Sequence, residues 1–308
     1  MLNNLERVGQ LVRANLECAD GDATRLLHGR GRTVPGWEQV AIDYFHPLVL
    51  VTLFAAQQAG WLNRLIAALW DWAAASGVEC IAVQSRFASD TPLQVLRGEL
   101  PRKPLAVEAG LQYGLQLGGR RNIGFFLDMA QARRWLAGVA AGKRVLNLFA
   151  YTCAFSVVAR AAGAVQVVNL DMSSAALRMG QQNHQRNGIN SGVSYLSHKL
   201  FRSWSKLRRA GPFDIVIVDP PSRQPGSFVA ATDYRRVVAK LPELCAPDAE
   251  ILLCLNSPHL ETAFLRELAA DNAPQLQFVE RLPNPPQFAD THPERSLKVF
   301  RFRYCDSR

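Results

Sequence analysis

Three sites in the sequence, each at the end of an apolar run, have the residue types and spacing to hold a nucleotide-like ligand. The run "VLNLF" leads into the turn "AYTCAF" (150–155) and then into an Ala/Val-rich helical stretch. This is the strand–turn–helix with which a βαβ unit meets its ligand. Asp171 ends the next strand, "VQVVNLD", about 20 residues past that turn, where a carboxylate can accept hydrogen bonds from ribose hydroxyls. Asp219-Pro220-Pro221-Ser222 ends a later apolar strand, "FDIVIV". Two prolines there would hold a backbone carbonyl and the Asp219 carboxylate in place as acceptors for an exocyclic amine or ring nitrogen. Each site also has a plainer reading. Small-residue turns are common, Asp171 could cap the helix starting at Ser173, and the prolines could simply end a strand. In this order on one βαβ scaffold, the three favour a nucleoside-bearing cofactor.

The turn narrows the choice of cofactor. A dinucleotide needs glycines that let its pyrophosphate approach a helix N-terminus, and "YTCAF" offers neither GxGxxG nor a Walker lysine. S-adenosylmethionine carries no phosphate and asks less of the turn, and the Asp-Pro-Pro acceptors suit a nitrogen held in line with a methyl donor. Other candidates carry less chemistry. The stretch "HKLFRSWSKLRR" (198–209) reads as a helix with Lys199, Arg202, Lys206 and Arg209 on one face and Phe201 and Trp204 interleaved. That pattern suits an RNA-backbone stripe, or a solvated basic face with its aromatics packed inward. Arg25, His28, Arg30 and Arg32 form a second basic cluster able to touch phosphate. His184 and His259 lack ligand-spaced partners, so no metal site is expected. Cys153 lacks a local base and reads as a small packed residue.

The elements that position these residues follow from hydrophobic periodicity. After an amphipathic first helix comes a polar, glycine-punctuated stretch (22–37), then two strands about His46-Pro47. A helix (59–77) follows, with its apolar stripe at Leu62, Leu65, Ile66 and Leu69 and a stop at Gly77. The strand "ECIAVQS" and the pair "LAVEAG" and "LQYGLQL" complete an α+β module ending near residue 120. Beyond it, strands alternate with helices up to the closing "QFVERL" and "LKVFRFRYC", which predicts a doubly wound, mostly parallel α/β sheet.

Charge is distributed unevenly over the 308 residues. The net charge is +9, of which residues 1–140 contribute +2 and residues 141–308 contribute +7. A polyanionic partner or a soluble basic surface would each account for it. Cysteines 18, 80, 153, 245, 254 and 305 show no CxxC or zinc spacing, which suits reduced thiols in the cytoplasm. The N-terminal segment, with internal Glu and Arg, does not read as a signal peptide, and no run is apolar enough to span a bilayer.

At these residues the sequence resembles the class I S-adenosylmethionine-dependent methyltransferases. More closely, it is similar to the bacterial 23S rRNA methyltransferases that act on cytosine C5 or guanine N7. The likeness is carried, in order, by "RLLHGRGRTVPG", "GFFLDMAQAR", "VLNLFAYTCAFSV", "VVNLDMSSAALRMGQQNHQRNG", "FDIVIVDPPS" and "HPERSLKVFRF". It implies a Rossmann-like, seven-stranded sheet with a reversed final strand, preceded by a smaller α+β domain that helps to hold RNA. The expected division is 1–122 and 123–308. The resemblance further implies that Phe126, Asp128 and Arg133 lie by the cofactor entrance. Asn147, Phe149, Tyr151 and Thr152 would line the methionine part, Asp171 would hold the ribose, and Met172 would lie beside the adenine. Asp219, Pro220 and Pro221 would face the target base.

Several positions depart from the family pattern. Cys153 replaces the first glycine of the turn, Met129-Ala130 replaces a Gln-Arg pair, and His198-Lys199 stands where an acidic residue would bind the adenine amine. Asn256-Ser257 replaces the cysteine nucleophile of the C5 enzymes, which argues for nitrogen over carbon as the acceptor. The PUA domain that precedes some relatives is expected to be absent. Residues and resemblance together predict a cytoplasmic S-adenosylmethionine-dependent methyltransferase acting on a base of RNA, ribosomal in origin, at nitrogen by direct displacement. The alternatives are a protein or small-molecule methyltransferase, and a non-catalytic RNA-binding relative motivated by Cys153, Ala130 and His198.

Overall fold

The computed structural model describes residues 4–224 and 226–306. The chain forms two compact units, one built from residues up to Leu127 with Pro285–Pro293, the other from Asp128–Asn284 with residues from Glu294 onward. No helix among the described residues is long and apolar enough to cross a membrane.

In the first unit, helix α1 (Leu5–Glu17) buries Val8, Val12 and Leu16. A five-stranded sheet follows: β1 (Thr24–His28), β2 (Val40–Phe45), β3 (Leu48–Leu53), β4 (Cys80–Ser85) and β5 (Leu93–Gly98), in that spatial order. Strands β2 and β3 meet through a cis His46-Pro47 bond, and every residue in both is buried. Helix α2 (Trp61–Ala73) carries the chain from β3 to the parallel strand β4 and buries Leu65, Ile66 and Leu69. Its 3-10 extension ends at Gly77, whose left-handed φ of 66° supplies the helix stop. Because β1 and β3 each run antiparallel to β2, strands β1, β3 and β4 share one direction and end at the same edge of the sheet. The hairpin β6 (Leu105–Glu108) and β7 (Leu111–Gly114) completes the unit's strands.

The second unit alternates helix and strand. It contains α3 (Ala130–Val139), β8 (Arg144–Leu148), α4 (Ala154–Ala161), β9 (Gln166–Asp171), α5 (Ser174–Arg186), β10 (Val193–Ser197), α6 (Trp204–Ala210) and β11 (Phe213–Val218). A two-residue ribbon, β12 (Arg223–Gln224) with β13 (Phe228–Val229), leads into α7 (Ala230–Val238), β14 (Cys245–Leu255), α8 (Thr262–Asn272), β15 (Leu276–Leu282) and β16 (Lys298–Tyr304). The sheet order is β10-β9-β8-β11-β14-β16-β15, and only β16 runs against its neighbours. This is the expected seven-stranded, doubly wound sheet with a reversed final strand. Period-two alternation puts Leu146, Leu148, Val216 and Val218 on the face covered by α6, α7 and α8, while Val145, Ile215 and Ile217 meet α3 and α4. The strand order reverses between β8 and β11, so a ligand crevice is expected beyond their carboxyl ends.

One expectation is corrected. Residues 198–209 do not form a single helix: a 3-10 turn (Leu200–Arg202) is broken at Ser203, and α6 starts only at Trp204. The Ser203 hydroxyl bonds back to the Lys199 carbonyl at 2.9 Å and holds the break. Phe201 and Trp204 pack against the core, with the Arg236 guanidinium 3.8 Å from the Phe201 ring centre. The four basic residues therefore do not share one helical face.

Candidate functional site

The turn after β8 is built from left-handed residues without glycine: Phe149, Tyr151 and Cys153 have φ of 60°, 47° and 62°. Each costs about 1–2 kcal/mol for an L-residue, so the surroundings must hold the turn in place. Asp171 is central to this. One carboxylate oxygen accepts the Tyr151 amide at 2.9 Å, and the other accepts the Ser173 amide at 2.8 Å. The Ser173 hydroxyl accepts the Ala176 amide and caps α5, so Asp171 anchors the turn while Ser173 does the capping. From behind, the Thr152 carbonyl accepts the Asn183 side-chain amide at 3.1 Å.

Cys153 is fully buried, and its side chain points into α5 against Gly180. A Cβ at residue 180 would lie 2.9 Å from the Cys153 Cβ and closer still to its Sγ. The glycine absent from the turn is thus matched by one on the facing helix, and the sulfur sits behind the turn. Burial, reinforced by Asp171, pushes the thiol far above its ordinary range, so it is no nucleophile.

Beneath the turn, a buried chain of hydrogen bonds runs in one direction. Asn147 Nδ2 donates to Asn169 Oδ1 (2.9 Å), and Asn169 Nδ2 donates to Ser156 Oγ (2.9 Å). Ser156 Oγ meets His184 Nε2 (2.8 Å), and His184 Nδ1 reaches the Gly180 carbonyl (2.8 Å). Burial lowers the His184 pKa, and a neutral ring with its proton on Nδ1 satisfies every step. The chain ties β8, β9, α4 and α5 together directly under the turn, and in the sequence its members are only separate polar residues.

The third element of the site is the end of β11. The Asp219 amide lies 3.4 Å from the Leu148 carbonyl, joining the two strand ends at the switch point. Its carboxyl is pushed up to about 7 by burial and by the nearby Asp128, while Arg133 pulls it down. Pro220 is buried and Pro221 exposed, and the Ser222 hydroxyl donates to the Asn256 carbonyl. Tyr234 on α7, fully buried, reaches both the Cys254 carbonyl (2.8 Å) and the Val218 carbonyl (3.2 Å) with its hydroxyl, joining the ends of β11 and β14. Phe228 fills the space between Tyr234 and Phe149, with ring centres 5.9 and 5.0 Å away. Lys298, wholly buried, donates to the Ser257 and Ser296 carbonyls at 3.1 and 3.3 Å and fixes the chain after β14. Neither Tyr234 nor Lys298 stands out in the sequence. Tyr234 is one more apolar position on a helix, and Lys298 lies inside the quoted "HPERSLKVFRF" without a role. Cys254 is buried, and burial with the charges of Asp219 and Asp128 pushes its thiol well upward.

Of the remaining expected residues, Asn147, Thr152 and Arg133 are buried, Phe149, Tyr151 and Asp128 are half-buried, and Met172 is 38% exposed beside Asp171. Phe126 falls in the first unit and is 39% exposed. The second unit's site suits S-adenosylmethionine. Two of the roughly four lone-pair positions of a carboxylate are occupied at Asp171, leaving acceptors for a ribose diol next to the apolar surface of Met172. His198 and Lys199 are exposed, and Lys206 donates to His198 Nε2 at 3.1 Å, so this stretch offers no carboxylate.

Known proteins resemble this chain in sequence and in fold. The family model of S-adenosylmethionine-dependent methyltransferases matches residues 24–303. The ribosomal RNA large subunit methyltransferase I of Aeromonas salmonicida is 30% identical over 63% of this chain and 50% of its own length. That of Photobacterium profundum is 27% identical over 89% of this chain and 72% of its own. The chain thus spans about half the length of the first of these curated relatives. Among solved structures, one complexed with SAH superposes with a TM-score of 0.84 at 24% identity, over 97% of this chain and 81% of that one. The tRNA m1G37 methyltransferase of M. jannaschii gives 0.57 at 13% identity, over 86% and 71%. At such identities, these structures show a shared fold.

Proposed function

The chain belongs to the S-adenosylmethionine-dependent methyltransferases, and on that premise we propose that it methylates a base of RNA, ribosomal in origin, at nitrogen. The observation that carries the reading is Asp219, set at the switch point of the sheet with a carboxyl pushed up to about 7. A group that titrates near neutrality can both accept a hydrogen bond from a nitrogen and take its proton. Bound S-adenosylmethionine supplies an electrophilic methyl group on a sulfonium centre. The chain's residues would do the rest. Asp171 holds the ribose hydroxyls and Met172 covers one side of the adenine. Phe149, Tyr151 and Thr152, with Asn147 beneath them, take the methionine part, and Asp128 and Arg133 line the entrance. Asp219, with the carbonyls of the Pro220-Pro221 stretch, orients a base flipped out of its stack and receives the proton that leaves the nitrogen. Tyr234 and Lys298 keep the strand ends from shifting. The relatives named above as ribosomal RNA methyltransferases support the choice of acceptor.

Titration calorimetry with S-adenosylmethionine tests the cofactor half, and mass mapping of rRNA nucleosides from cells with and without the chain tests the acceptor. Binding is expected, Asp171→Ala should weaken it tenfold or more, and Asp219→Ala should spare it while abolishing methylation. No heat at millimolar cofactor, with or without RNA, sinks the catalytic reading. Methylation confined to a protein or small molecule sinks the RNA one.

A further inference from the structure

The basic cluster read from the sequence is rearranged in the fold. Arg25 lies on β1 and is neutralised there: its Nε and Nη2 pair with the buried Asp43, and its Nη1 donates to His28 Nδ1 at 2.8 Å. Since guanidinium only donates, His28 is neutral with its proton on Nε2. Burial first, then Arg25, keeps it so, bringing its pKa down to about 4.

Arg30 does something different. It sits in the 3-10 turn after β1, flanked by Gly29 and Gly31, where a Cβ would strike the Trp37 and Ala289 carbonyl oxygens. The tight turn sends Arg30 outward, and its guanidinium lies 4.8 Å from the ring centre of Phe54, the residue after β3. Arg86, the residue after β4, reaches the same ring at 5.5 Å. Its amide bonds the Leu53 carbonyl at 2.8 Å, so the β3 and β4 ends are locked side by side. Strands β1, β3 and β4 end at one edge of their sheet, which brings Arg30, Phe54 and Arg86 together there. The loop carrying Arg121 joins them, anchored by the Gln84 side chain on the Arg120 carbonyl at 2.6 Å. Arg86 bears the cost of this gathering: burial and the charges of Arg30, Arg121 and Arg25 all work against its proton, with Asp43 in opposition. Next to Arg86, Phe87 is 49% exposed on a turn.

A protein that gathers like charges on one aromatic ring, with its nearby carboxylate already engaged by Arg25, offers a seat for an anion. The exposed ring beside it suits a base. We infer that Arg30, Arg86 and Arg121 bind consecutive phosphates of a single-stranded RNA segment, with Phe87 stacking one of its bases. This identifies a docking surface for the acceptor in the reading above and rests on that reading.

The test is fluorescence anisotropy of the full chain with a fluorescein-labelled, mixed-sequence single-stranded RNA 20-mer at rising KCl. R30Q/R86Q should lose tenfold or more in affinity at 100 mM salt. Its slope of log affinity against log salt should fall by roughly 1.4, about 0.7 for each lost phosphate contact on a single strand. The control R64Q/R97Q removes two exposed charges elsewhere in the same unit and should change affinity less than threefold. F87A should weaken binding about fivefold or more with the slope unchanged, since stacking releases no counterions. Single R30Q, at an exposed position, guards against a misfolded double variant and should weaken binding in the same direction, its slope falling by about 0.7. Equal losses in the two double variants, an unchanged R30Q/R86Q, competition by poly-glutamate as strong as by RNA, or no RNA binding by the parent chain would each overturn the inference. Calorimetry with S-adenosylmethionine on the same proteins, without RNA, tests the cofactor reading separately. Its failure would leave the anisotropy result standing.

Discussion

Asp219 pays for its position at the switch point in stability, and the effect has a definite sign. In the unfolded chain its carboxyl ionises near the ordinary 3.8, whereas in the fold it is pushed up to about 7. Between those values the folded state holds a proton that the unfolded state has lost, so rising pH favours unfolding. The penalty is absent below about pH 4 and complete above about pH 7, on the order of 2–4 kcal/mol from a shift near three units. Asp219→Asn is neutral at every pH and escapes it. The variant should be more stable than the parent in urea at pH 8, nearly equal to it at pH 4, and inactive. A gap of the same size at both pH values would mean that the carboxyl is not perturbed in the fold.

At the scale of elements, the turn between β8 and α4 and the helix α5 behind it form one device. Three left-handed residues are held by Asp171 in front and by the contact of Cys153 with Gly180 behind. Gly180→Ala should therefore cost about 1–3 kcal/mol through overpacking, despite the helix propensity it gains. Cys153→Gly would relieve both the clash and the left-handed strain. The double variant should then regain at least parent stability, and a double-mutant cycle in urea should give a coupling of at least about 1 kcal/mol. Additive effects would show that the two residues do not meet. The sequence made the strand–turn–helix legible and flagged Cys153, but the partner glycine lay 27 positions away in an ordinary helical pattern. A similar limit explains which strands could be read. The interior strands β2, β3, β8, β9, β11 and β14 stand out as apolar runs because both faces are covered. The residues of β1, β5 and β10 carry no clear strand pattern, and all three are sheet edges. Their burial is partial, as in "VSYLS" and "LQVLRG", so they have no sharp period to read. The strand ends at Asp171 and Asp219 were legible because a carboxylate after an apolar run breaks the pattern. The bonds that fix them come from Tyr151, Tyr234 and Lys298, which only tertiary structure brings near.

At the scale of the whole molecule, the second unit's sequence is interrupted between β15 and β16 by residues 285–293, which belong to the first unit. Read in sequence, "NPPQFADTHP" is a proline-rich loop with no period. In the fold it completes the end of β1. Phe288 lies 5.1 Å from the His28 ring and 4.6 Å from the Arg25 guanidinium, and the Thr291 amide bonds the Gly31 carbonyl at 2.9 Å. The first unit is therefore finished only when nearly the whole chain is present, and the buried Arg25–Asp43 pair depends on a residue from the far end of the sequence. Phe288→Ala should destabilise the first unit by about 3 kcal/mol, from lost packing and an uncovered cation. Hydrogen exchange should report this as faster exchange of the β1 and β2 amides, while β8, β9 and β11 in the second unit keep their protection. The methyl-donor site lies in that second unit, so S-adenosylmethionine binding should survive the substitution. Unchanged protection in β1 and β2 would show that the returning segment merely passes over the first unit and does not complete it.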